Sequence, residues 1–206
     1  MNYPVNRTLM PIVPPKIAAF ILAGGASRRM GRDKALLPFA GRPLLLHLVN
    51  LVAPLAESVV VLGPPLRYEH LCRPLGVPVY DDLSEGIGPL AGIENALNRS
   101  ASDWNLFLAC DMPFVNVDWI QHLIGEARSQ PAEVLCVSSA LRGEGNIIKP
   151  SPLCACWHKH ALPHIRQSLA TGSRRVQDLL GVLHTRFVFP AEPSLLANWN
   201  SPTDVD

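Results

Sequence analysis

The chain lacks the features that mark membrane-spanning, secreted and nucleic-acid-binding proteins. None of its apolar runs approaches the roughly 20 residues that a helix needs to cross a bilayer. Residues 1–16 have neither the charge pattern nor the apolar length of a secretory signal. The 18 Lys and Arg residues nearly balance the 17 Asp and Glu residues, so the net charge of +1 gives no basic field for nucleic acid. We therefore expect a cytoplasmic protein with neither nucleic-acid nor membrane partners.

The number and spacing of the cysteines indicate neither a disulfide framework nor a zinc knuckle. Their number, five, is odd. Cys154 and Cys156 are separated by one residue, whereas a metal knuckle has two residues between its cysteines. Alternation along a strand would place both thiols on one face, where they fit as small core side chains. The pattern predicts a reducing compartment and no metal role for these thiols.

Two common phosphate-binding motifs are also missing. A P-loop has four residues between its first glycine and Gly-Lys-Ser/Thr, whereas Gly25 and Gly31 enclose five residues and Arg32 follows. The dinucleotide motif Gly-x-Gly-x-x-Gly does not fit the adjacent glycines Gly24 and Gly25. A phosphate site in this chain must therefore be of another kind.

What the chain does contain is the pattern of an α/β domain. Of its 206 residues 48% are hydrophobic and 17% charged, which suits one domain with a substantial core. Strands alternate with helices through the first two thirds, which predicts a mostly parallel sheet with helices on both faces. We place the domain at residues 17–206 and interpret residues 1–16, with four prolines, as a flexible tail. Strands are predicted at 17–22, 58–62, 77–80, 104–109, 133–138, 153–157 and 185–189. Helices are predicted at 44–55, 89–97, from Asn116 or Asp118 to 128, and at 160–169 and 174–180.

A glycine-rich, basic stretch follows the first strand. Its position is the carboxyl edge of the predicted sheet, where open α/β folds bind ligands. Gly24 and Gly25 let a ligand approach the backbone, whose N–H groups can form a nest for phosphate oxygens. Arg28, Arg29 and Lys34 add positive charges suited to a polyphosphate. The alternative is a glycine-rich turn with solvated cations.

Acidic and glycine-bearing segments follow later strands and would meet this stretch at the same edge. Asp111 follows a strongly apolar strand and is placed to hold Mg²⁺, which often uses one or two carboxylates together with phosphates and waters. Asp82 could accept a hydrogen bond from a base or a ribose, and residues 86–92 could lie against a nucleobase. The alternatives are a helix cap or turn for Asp111, a turn for Asp82, and an ordinary loop into a helix for 86–92.

Two polar segments near the end of the chain could meet a second substrate. Asn198 and Asn200 are two residues apart, so both could face one ligand from an extended segment. Arg174 and Arg175 could contact an anionic acceptor. The alternatives are turn formation for the asparagines and a solvated helix face for the arginines.

Together these features predict nucleotidyl transfer. An acceptor phosphate or hydroxyl would attack the α-phosphorus of a nucleoside triphosphate and expel pyrophosphate. An attacking phosphate is already negatively charged and needs no general base, so catalysis depends on alignment and charge neutralisation. Arg29 and Lys34 would hold the triphosphate, and Mg²⁺ on Asp111 would bridge its oxygens.

Five ordered motifs resemble those of the molybdenum cofactor guanylyltransferases, within a wider group of nucleotidyltransferases. The first reads Leu-Ala-Gly-Gly-x-Ser-x-Arg-Met-Gly-x-Asp-Lys and ends at Lys34. The others are Val-Tyr-Asp-Asp with Gly-Pro-Leu-Ala-Gly, then Leu-Ala-Cys-Asp-Met-Pro, then Pro-Leu-Cys-Ala with Gly-Ser-Arg-Arg-Val, and a terminal Asn-Trp-Asn-Ser-Pro. The resemblance covers roughly residues 17–205.

This resemblance implies a single-domain, three-layer, Rossmann-like nucleotidyltransferase fold and an enzyme that joins GMP from GTP to molybdenum-bound molybdopterin. The product would be the guanine dinucleotide cofactor, with Mg²⁺ on Asp111 and Mn²⁺ as the alternative ion. Asn198, Asn200 and Arg175 would face the pterin. Molybdenum-insertion proteins and acceptor molybdoenzymes would be partners. The implied nucleotide-binding residues are Leu22, Ala23, Gly24, Gly25, Lys34, Asp82, Gly88, Pro89, Leu90 and Asp111.

The same motifs bear on the choice of nucleotide. Relatives that make the cytosine dinucleotide tend to have Leu-Ala-Ala-Gly where this chain has Leu-Ala-Gly-Gly, which favours GTP. In some relatives an Asn at the end of the second strand contacts the nucleotide, whereas this chain has Leu62 and Gly63. The remaining alternatives are molybdopterin cytidylyl transfer, a sugar-phosphate or cobinamide-phosphate nucleotidyltransferase, and a non-catalytic GTP-binding module.

Overall fold

The computed structural model describes residues 17–23, 33–81, 88–173 and 175–199. The predicted tail, residues 1–16, lies outside the described residues. So do most of the glycine-rich stretch, residues 24–32, and the segment 82–87.

Within the described residues, seven strands form one sheet in the order β5-β4-β1-β6-β8-β7-β9, and two short strands, β2 and β3, form a hairpin. Every neighbouring pair is parallel except the two pairs that involve β8, so β8 alone runs against the other six. The strands are β1 (Ile17–Leu22), β2 (Pro38–Phe39), β3 (Arg42–Pro43), β4 (Ser58–Leu62), β5 (Val79–Tyr80), β6 (Trp104–Ala109), β7 (Cys136–Arg142), β8 (Ile148–His158) and β9 (Thr185–Val188).

Helices cover both faces of the sheet. They are α1 (Leu44–Val52), α2 (Pro65–Cys72), α3 (Pro89–Arg99), α4 (Val117–Ser129), α5 (Leu162–Ala170) and α6 (Val176–Leu180). Buried side chains of α1, α2 and α4 belong to one apolar core, and those of α3, α5 and α6 belong to the other. Because both faces are covered, every residue of the central strands β1 and β6 is buried. The predicted three-layer, mostly parallel α/β architecture is confirmed.

The predicted boundaries of the strongly apolar strands are accurate, whereas some boundaries inferred from local turn residues are wrong. β1, β4 and β6 have the predicted bounds, and Asn116 caps α4 by accepting a hydrogen bond from the backbone N–H of Trp119. The first predicted helix ends at Val52 instead of residue 55. The strand predicted at 77–80 is limited to Val79–Tyr80.

Four later predictions also need correction. β7 begins at Cys136 instead of residue 133, and β8 extends over Ile148–His158 because it pairs with both β6 and β7. The helices predicted from 160 and 174 begin at Leu162 and Val176, and the first follows a 3₁₀ turn.

Helix α2 is the one described helix that the sequence analysis missed. Pro64 and Pro65 follow β4 and fit the end of a strand, yet Pro65 occupies the first helical position, where its missing N–H costs nothing. Tyr68 and Cys72, four residues apart, form its buried face. Across the described residues, no helix combines the length and apolar character needed to cross a membrane.

All five cysteines are buried and unpaired by disulfides. Cys154 and Cys156 lie on the same face of β8 and in the same core, as the alternation predicted. Burial raises the pKa of Cys154 to about 11, because an apolar surrounding disfavours the thiolate. Burial also raises the pKa of the Cys110, Cys136 and Cys156 thiols.

These thiols predict a loss of stability in alkali. Above an ordinary cysteine pKa of about 9 the unfolded chain releases thiol protons that the folded chain retains, so the free energy of unfolding should fall between pH 9 and 11. Cys154 alone contributes about 2 kcal/mol to this loss. Urea unfolding in reductant at pH 8, 9, 10 and 11 measures it. Cys154→Ala should have a lower free energy of unfolding than the wild type at pH 8 but a smaller decrease between pH 8 and 11. An equal decrease in the wild type and the variant would contradict the raised pKa of Cys154.

Candidate functional site

The site begins where two central strands end side by side. β1 and β6 are in parallel register, with Leu22 opposite Ala109. The backbone continues this pairing one residue further, because the N–H of Cys110 donates to the carbonyl of Leu22 at 3.0 Å. On the other side of β1, the N–H of Ala23 donates to the carbonyl of Leu62 at 2.8 Å. The residues after β1 and β6 are therefore held next to each other at the carboxyl edge.

Lys34 and Asp111 form an ion pair at this edge. Nζ of Lys34 lies 3.5 Å from Oδ2 of Asp111, and the two side chains are 19% and 25% exposed. The other carboxylate oxygen of Asp111, Oδ1, is buried and has no hydrogen-bond partner in the described part of the chain. A buried carboxylate oxygen without a partner is costly and is a ready ligand for a cation or a donor group.

Around this pair lies a cavity of about 380 Å³, here called the strand-end cavity. Six residues predicted from the sequence line it: Leu22, Ala23, Lys34, Pro89, Asp111 and Asn198. Further lining comes from residues flanking Lys34 and Asp111, from β8 and from the start of α6: Asp33, Ala35, Ala109, Cys110, Met112, Pro150, Ser151, Pro152, Leu153, Val176 and Gln177. Residues far apart in sequence are thus brought together as predicted.

Three predicted residues are described but do not line this cavity. Leu90 is fully buried in the core beneath α3. Gly88 precedes α3 with a φ of 102°, a conformation that favours glycine. Arg175 is exposed and precedes Val176, which does line the cavity. Seven other predicted residues lie outside the described residues: Gly24, Gly25, Arg28, Arg29, Asp82, Arg174 and Asn200.

One wall of the cavity is made by an irregularity in β8. Ser138 of β7 pairs with Ala155, but the next residue, Ser139, pairs with Ser151, so three residues of β8 are skipped. The indole N–H of Trp157 donates to the carbonyl of Pro152 at 3.2 Å and holds this bulge from inside the core. Bulges of this kind often re-aim side chains beside functional sites. Here the bulge brings Pro152 and Leu153 into the wall.

The segment after the last strand is tied directly to Asp111. The backbone N–H of Trp199 donates to the carbonyl of Asp111 at 2.8 Å, which brings the neighbouring Asn198 to the cavity. The Trp199 ring packs edge-to-face against Phe39 and Phe114, with centroids 5.6 and 6.4 Å away. This packing anchors residues 197–199, which belong to no helix or strand.

Sequence reasoning missed several residues at the site. Gln177 and Ser151 line the cavity but carry no distinctive motif of their own. Tyr68 and Asp33 are joined by hydrogen bonds beside Ala23, and the missed helix α2 is what brings Tyr68 there. A signal was available, since Pro65 at a helix start followed by apolar residues at four-residue spacing predicts a short amphipathic helix.

The donor set limits which metal the site suits. No cluster of three or more His, Cys, Asp and Glu side chains able to hold a metal occurs among the described residues. A single carboxylate with an unpaired oxygen fits a hard ion such as Mg²⁺, which keeps waters and takes further ligands from substrate phosphates.

Comparison with known proteins identifies the family. A family model described as "MobA-like NTP transferase domain" matches residues 19–186. A probable molybdenum cofactor guanylyltransferase from a Nostoc species is 34% identical over 190 residues, which are 92% of this chain and 88% of that protein. The chain belongs to the molybdenum cofactor guanylyltransferase family. It is accordingly a nucleotidyltransferase, and the resemblance drawn from the sequence motifs is confirmed.

Two further comparisons agree with membership of the guanylyltransferase family. A molybdenum cofactor guanylyltransferase from Yersinia pestis is 31% identical over 196 residues, covering 93% of this chain and 94% of that protein. The crystal structure of molybdopterin-guanine dinucleotide biosynthesis protein A from Archaeoglobus fulgidus superposes with a TM-score of 0.70 at 24% identity. It covers 91% of this chain and 94% of that one. The likeness to this structure concerns the fold.

The anchoring of Trp199 gives a prediction about stability. Trp199 is 5% exposed, and its indole N–H has no hydrogen-bond partner in the described regions. Trp199→Ala should therefore lower the free energy of unfolding by about 3–5 kcal/mol, because it leaves a cavity. Trp199→Phe should cost less than about 1.5 kcal/mol, because it keeps most of the packing and removes an unpaired donor. Urea unfolding at pH 7 measures both losses of stability. If Trp199→Phe lost as much as Trp199→Ala, the indole N–H would contribute to stability and the prediction would be wrong.

Proposed function

We propose that this protein transfers GMP from GTP to molybdenum-bound molybdopterin, forming the molybdopterin guanine dinucleotide cofactor and releasing pyrophosphate. The observation that carries the proposal is the ion pair between Lys34 and Asp111 at the carboxyl edge of the sheet, together with a buried Asp111 oxygen that has no hydrogen-bond partner among the described residues. A cation and a carboxylate held side by side in a cavity suit a substrate that brings both phosphate charge and a metal ion. The names of the related proteins, molybdenum cofactor guanylyltransferases, support this choice of the two substrates.

Lys34 acts on the phosphates of the donor. Its ammonium group lies at the cavity wall on a short 3₁₀ turn, so it can pair with the β- and γ-phosphates and with the pyrophosphate that leaves. A terminal phosphate of the pterin attacks the α-phosphorus, the bond to the β-phosphate oxygen breaks, and the electron pair leaves with pyrophosphate. The attacking phosphate is already anionic, so no side chain has to remove a proton from it. Alignment and charge neutralisation supply the catalysis.

Asp111 is the residue that would hold the divalent ion. When bound, Mg²⁺ or Mn²⁺ neutralises phosphate charge and reduces repulsion of the attacking anion. The ion pair with Lys34 orients one carboxylate oxygen and leaves the other for this role. The hydrogen bond from Trp199 fixes the backbone of Asp111.

The remaining site residues are assigned from the sequence motifs and from the cavity lining. On this assignment the backbone of Leu22, Ala23, Gly24 and Gly25, together with Arg29, binds the triphosphate. Asp82 and the segment Gly88, Pro89 and Leu90 belong to the guanosine side. Arg175, Asn198 and Asn200 belong to the pterin side, and both Asn198 and the neighbour of Arg175 line the cavity. We place the reaction in the cytoplasm, with molybdenum-insertion proteins supplying the acceptor and molybdoenzymes receiving the product.

The direct test is the identity of the product and of the preferred nucleotide. The protein should convert GTP, Mg²⁺ and molybdenum-loaded molybdopterin to the guanine dinucleotide, with one pyrophosphate released per product. Mass spectrometry of the product and a pyrophosphate assay measure both. GTP should be used well in preference to CTP, because Gly24 leaves room at the backbone for the larger base. A clear preference for CTP would overturn the assignment of GTP as the donor. Turnover with a sugar phosphate but not with molybdopterin would overturn the assignment of the acceptor.

Substitutions of Asp111 and Lys34 test the site itself, and substitutions at the opposite end of β6 serve as controls. Asp111→Asn should lower kcat/KM for GTP by at least about 100-fold, and Lys34→Ala by roughly 10- to 100-fold, because each removes a charge that meets the phosphates. The matched controls are Asp103→Asn and Lys159→Ala, which break an ion pair at the amino end of the same strand. Since that pair is about half exposed, both controls should keep wild-type kinetics. Wild-type kinetics in Asp111→Asn would exclude the assigned role of that carboxylate.

A further inference from the structure

A buried hydroxyl group contacts both ends of the glycine-rich stretch. Tyr68 lies on α2 and is 1% exposed, with its ring in the core that α1 and α4 also cover. Its hydroxyl lies 3.0 Å from the carbonyl oxygen of Ala23 and 3.0 and 2.9 Å from the two carboxylate oxygens of Asp33. One hydroxyl proton is therefore within hydrogen-bond reach of three oxygens that belong to two separate segments.

The two segments are the flanks of the stretch assigned to the phosphates. Ala23 directly follows β1, and Asp33 directly precedes Lys34, with nine residues between them in the sequence. Tyr68 is the point at which a third segment, α2, joins these flanks. A phenylalanine would fill the same space in the core, so packing alone does not require the hydroxyl group.

Asp33 passes this restraint to Lys34. Its Oδ1 accepts a hydrogen bond from the backbone N–H of Ala35 at 3.1 Å and caps the 3₁₀ turn Lys34–Leu36. The cap fixes the start of that turn, and Lys34 at its first position reaches Asp111 at 3.5 Å. The contacts thus run from the Tyr68 hydroxyl through the Asp33 carboxylate to the turn that directs the Lys34 ammonium group.

We infer that Tyr68 is a positioning residue for the reaction: through Asp33 it holds Lys34 in the orientation that binds the nucleotide triphosphate. The inference rests on the proposed function, because it takes Lys34 as the phosphate contact. Burial and the hydrogen bond to Asp33 raise the pKa of the Tyr68 phenol well above its usual range, so the hydroxyl stays a donor at all physiological pH values.

Asp33 has a second partner that offers a matched comparison. Nη1 of Arg67, the residue before Tyr68 on α2, lies 3.4 Å from Oδ2 of Asp33. The Arg67 side chain is 62% exposed, so water screens this contact and replaces it when it is lost. Two neighbouring residues thus contact one carboxylate, but the Tyr68 side chain is buried whereas the Arg67 side chain is exposed.

The test compares Tyr68→Phe with Arg67→Ala in the full-length enzyme. Tyr68→Phe removes only the hydroxyl, and its kcat/KM for GTP should fall about tenfold, mainly through a higher KM, because a hydrogen bond to a charged group is lost. The dissociation constant for GTP with Mg²⁺, measured calorimetrically without acceptor, should rise by a similar factor. Arg67→Ala should change both quantities less than twofold. Thermal unfolding of each variant reports any loss of fold.

A double-substitution cycle shows whether Tyr68 acts through Asp33. In an Asp33→Ala background, adding Tyr68→Phe should raise KM less than twofold, because its partner is already gone. A full tenfold effect in that background would overturn the route through Asp33. If Tyr68→Phe lowers the melting temperature while KM and the GTP dissociation constant stay at wild-type values, the role of Tyr68 is structural only and the inference is wrong.

The outcome also separates this inference from the proposed function. If the wild-type protein makes the guanine dinucleotide and Tyr68→Phe has wild-type KM and GTP affinity, only the role of Tyr68 is refuted. If the wild-type protein neither binds GTP nor forms product, the proposed function is refuted, and the inference about Tyr68 is refuted with it.

Discussion

The pairing of β1 with β6 determines the rest of the site. These strands are parallel, fully buried and in a register that ends them together, with Leu22 opposite Ala109. Because the two strands end at the same level of the sheet, the residues that follow them, including Ala23 and Asp111, start from neighbouring positions. A shift of one residue in this register would turn every side chain of β6 to the opposite face and would carry Asp111 away from Lys34. The apolar cores on both sheet faces oppose such a shift, because every residue of these two strands except the polar Asn105 belongs to one of them.

The sequence predicts most of this central arrangement and little of its periphery. β1, β4 and β6 are largely apolar segments bounded by polar residues or turns, which local pattern identifies well. Asp111 comes two residues after β6 and Lys34 twelve residues after β1, so topology predicts that both belong to the carboxyl edge but does not predict the ion pair between them. The bulge in β8, in contrast, depends on pairing with two different strands, β6 and β7, and no local pattern encodes a register across three strands.

The connection of Trp199 to Asp111 was unpredictable for a related reason. It is a backbone hydrogen bond between segments 88 residues apart in sequence, and backbone groups carry no sequence signal. Tyr68 illustrates a third limit. Its helix was hidden by two prolines that also fit the end of a strand, and its hydroxyl partners belong to segments about 40 residues earlier. Motif resemblance identified the family correctly, but motifs describe the residues that meet the ligand more readily than those that hold them in place.

The reversed direction of β8 has a consequence for how this protein can diversify. Because β8 runs against its neighbours, its first half enters at the carboxyl edge, and its bulge forms a wall that faces the residues after β1 and β6. The two sides of the cavity are therefore encoded by separate parts of the chain, one before residue 113 and one after residue 149. Under the proposed function, exchange of the later part alone would change the acceptor preference and leave the part that binds the nucleotide unaltered.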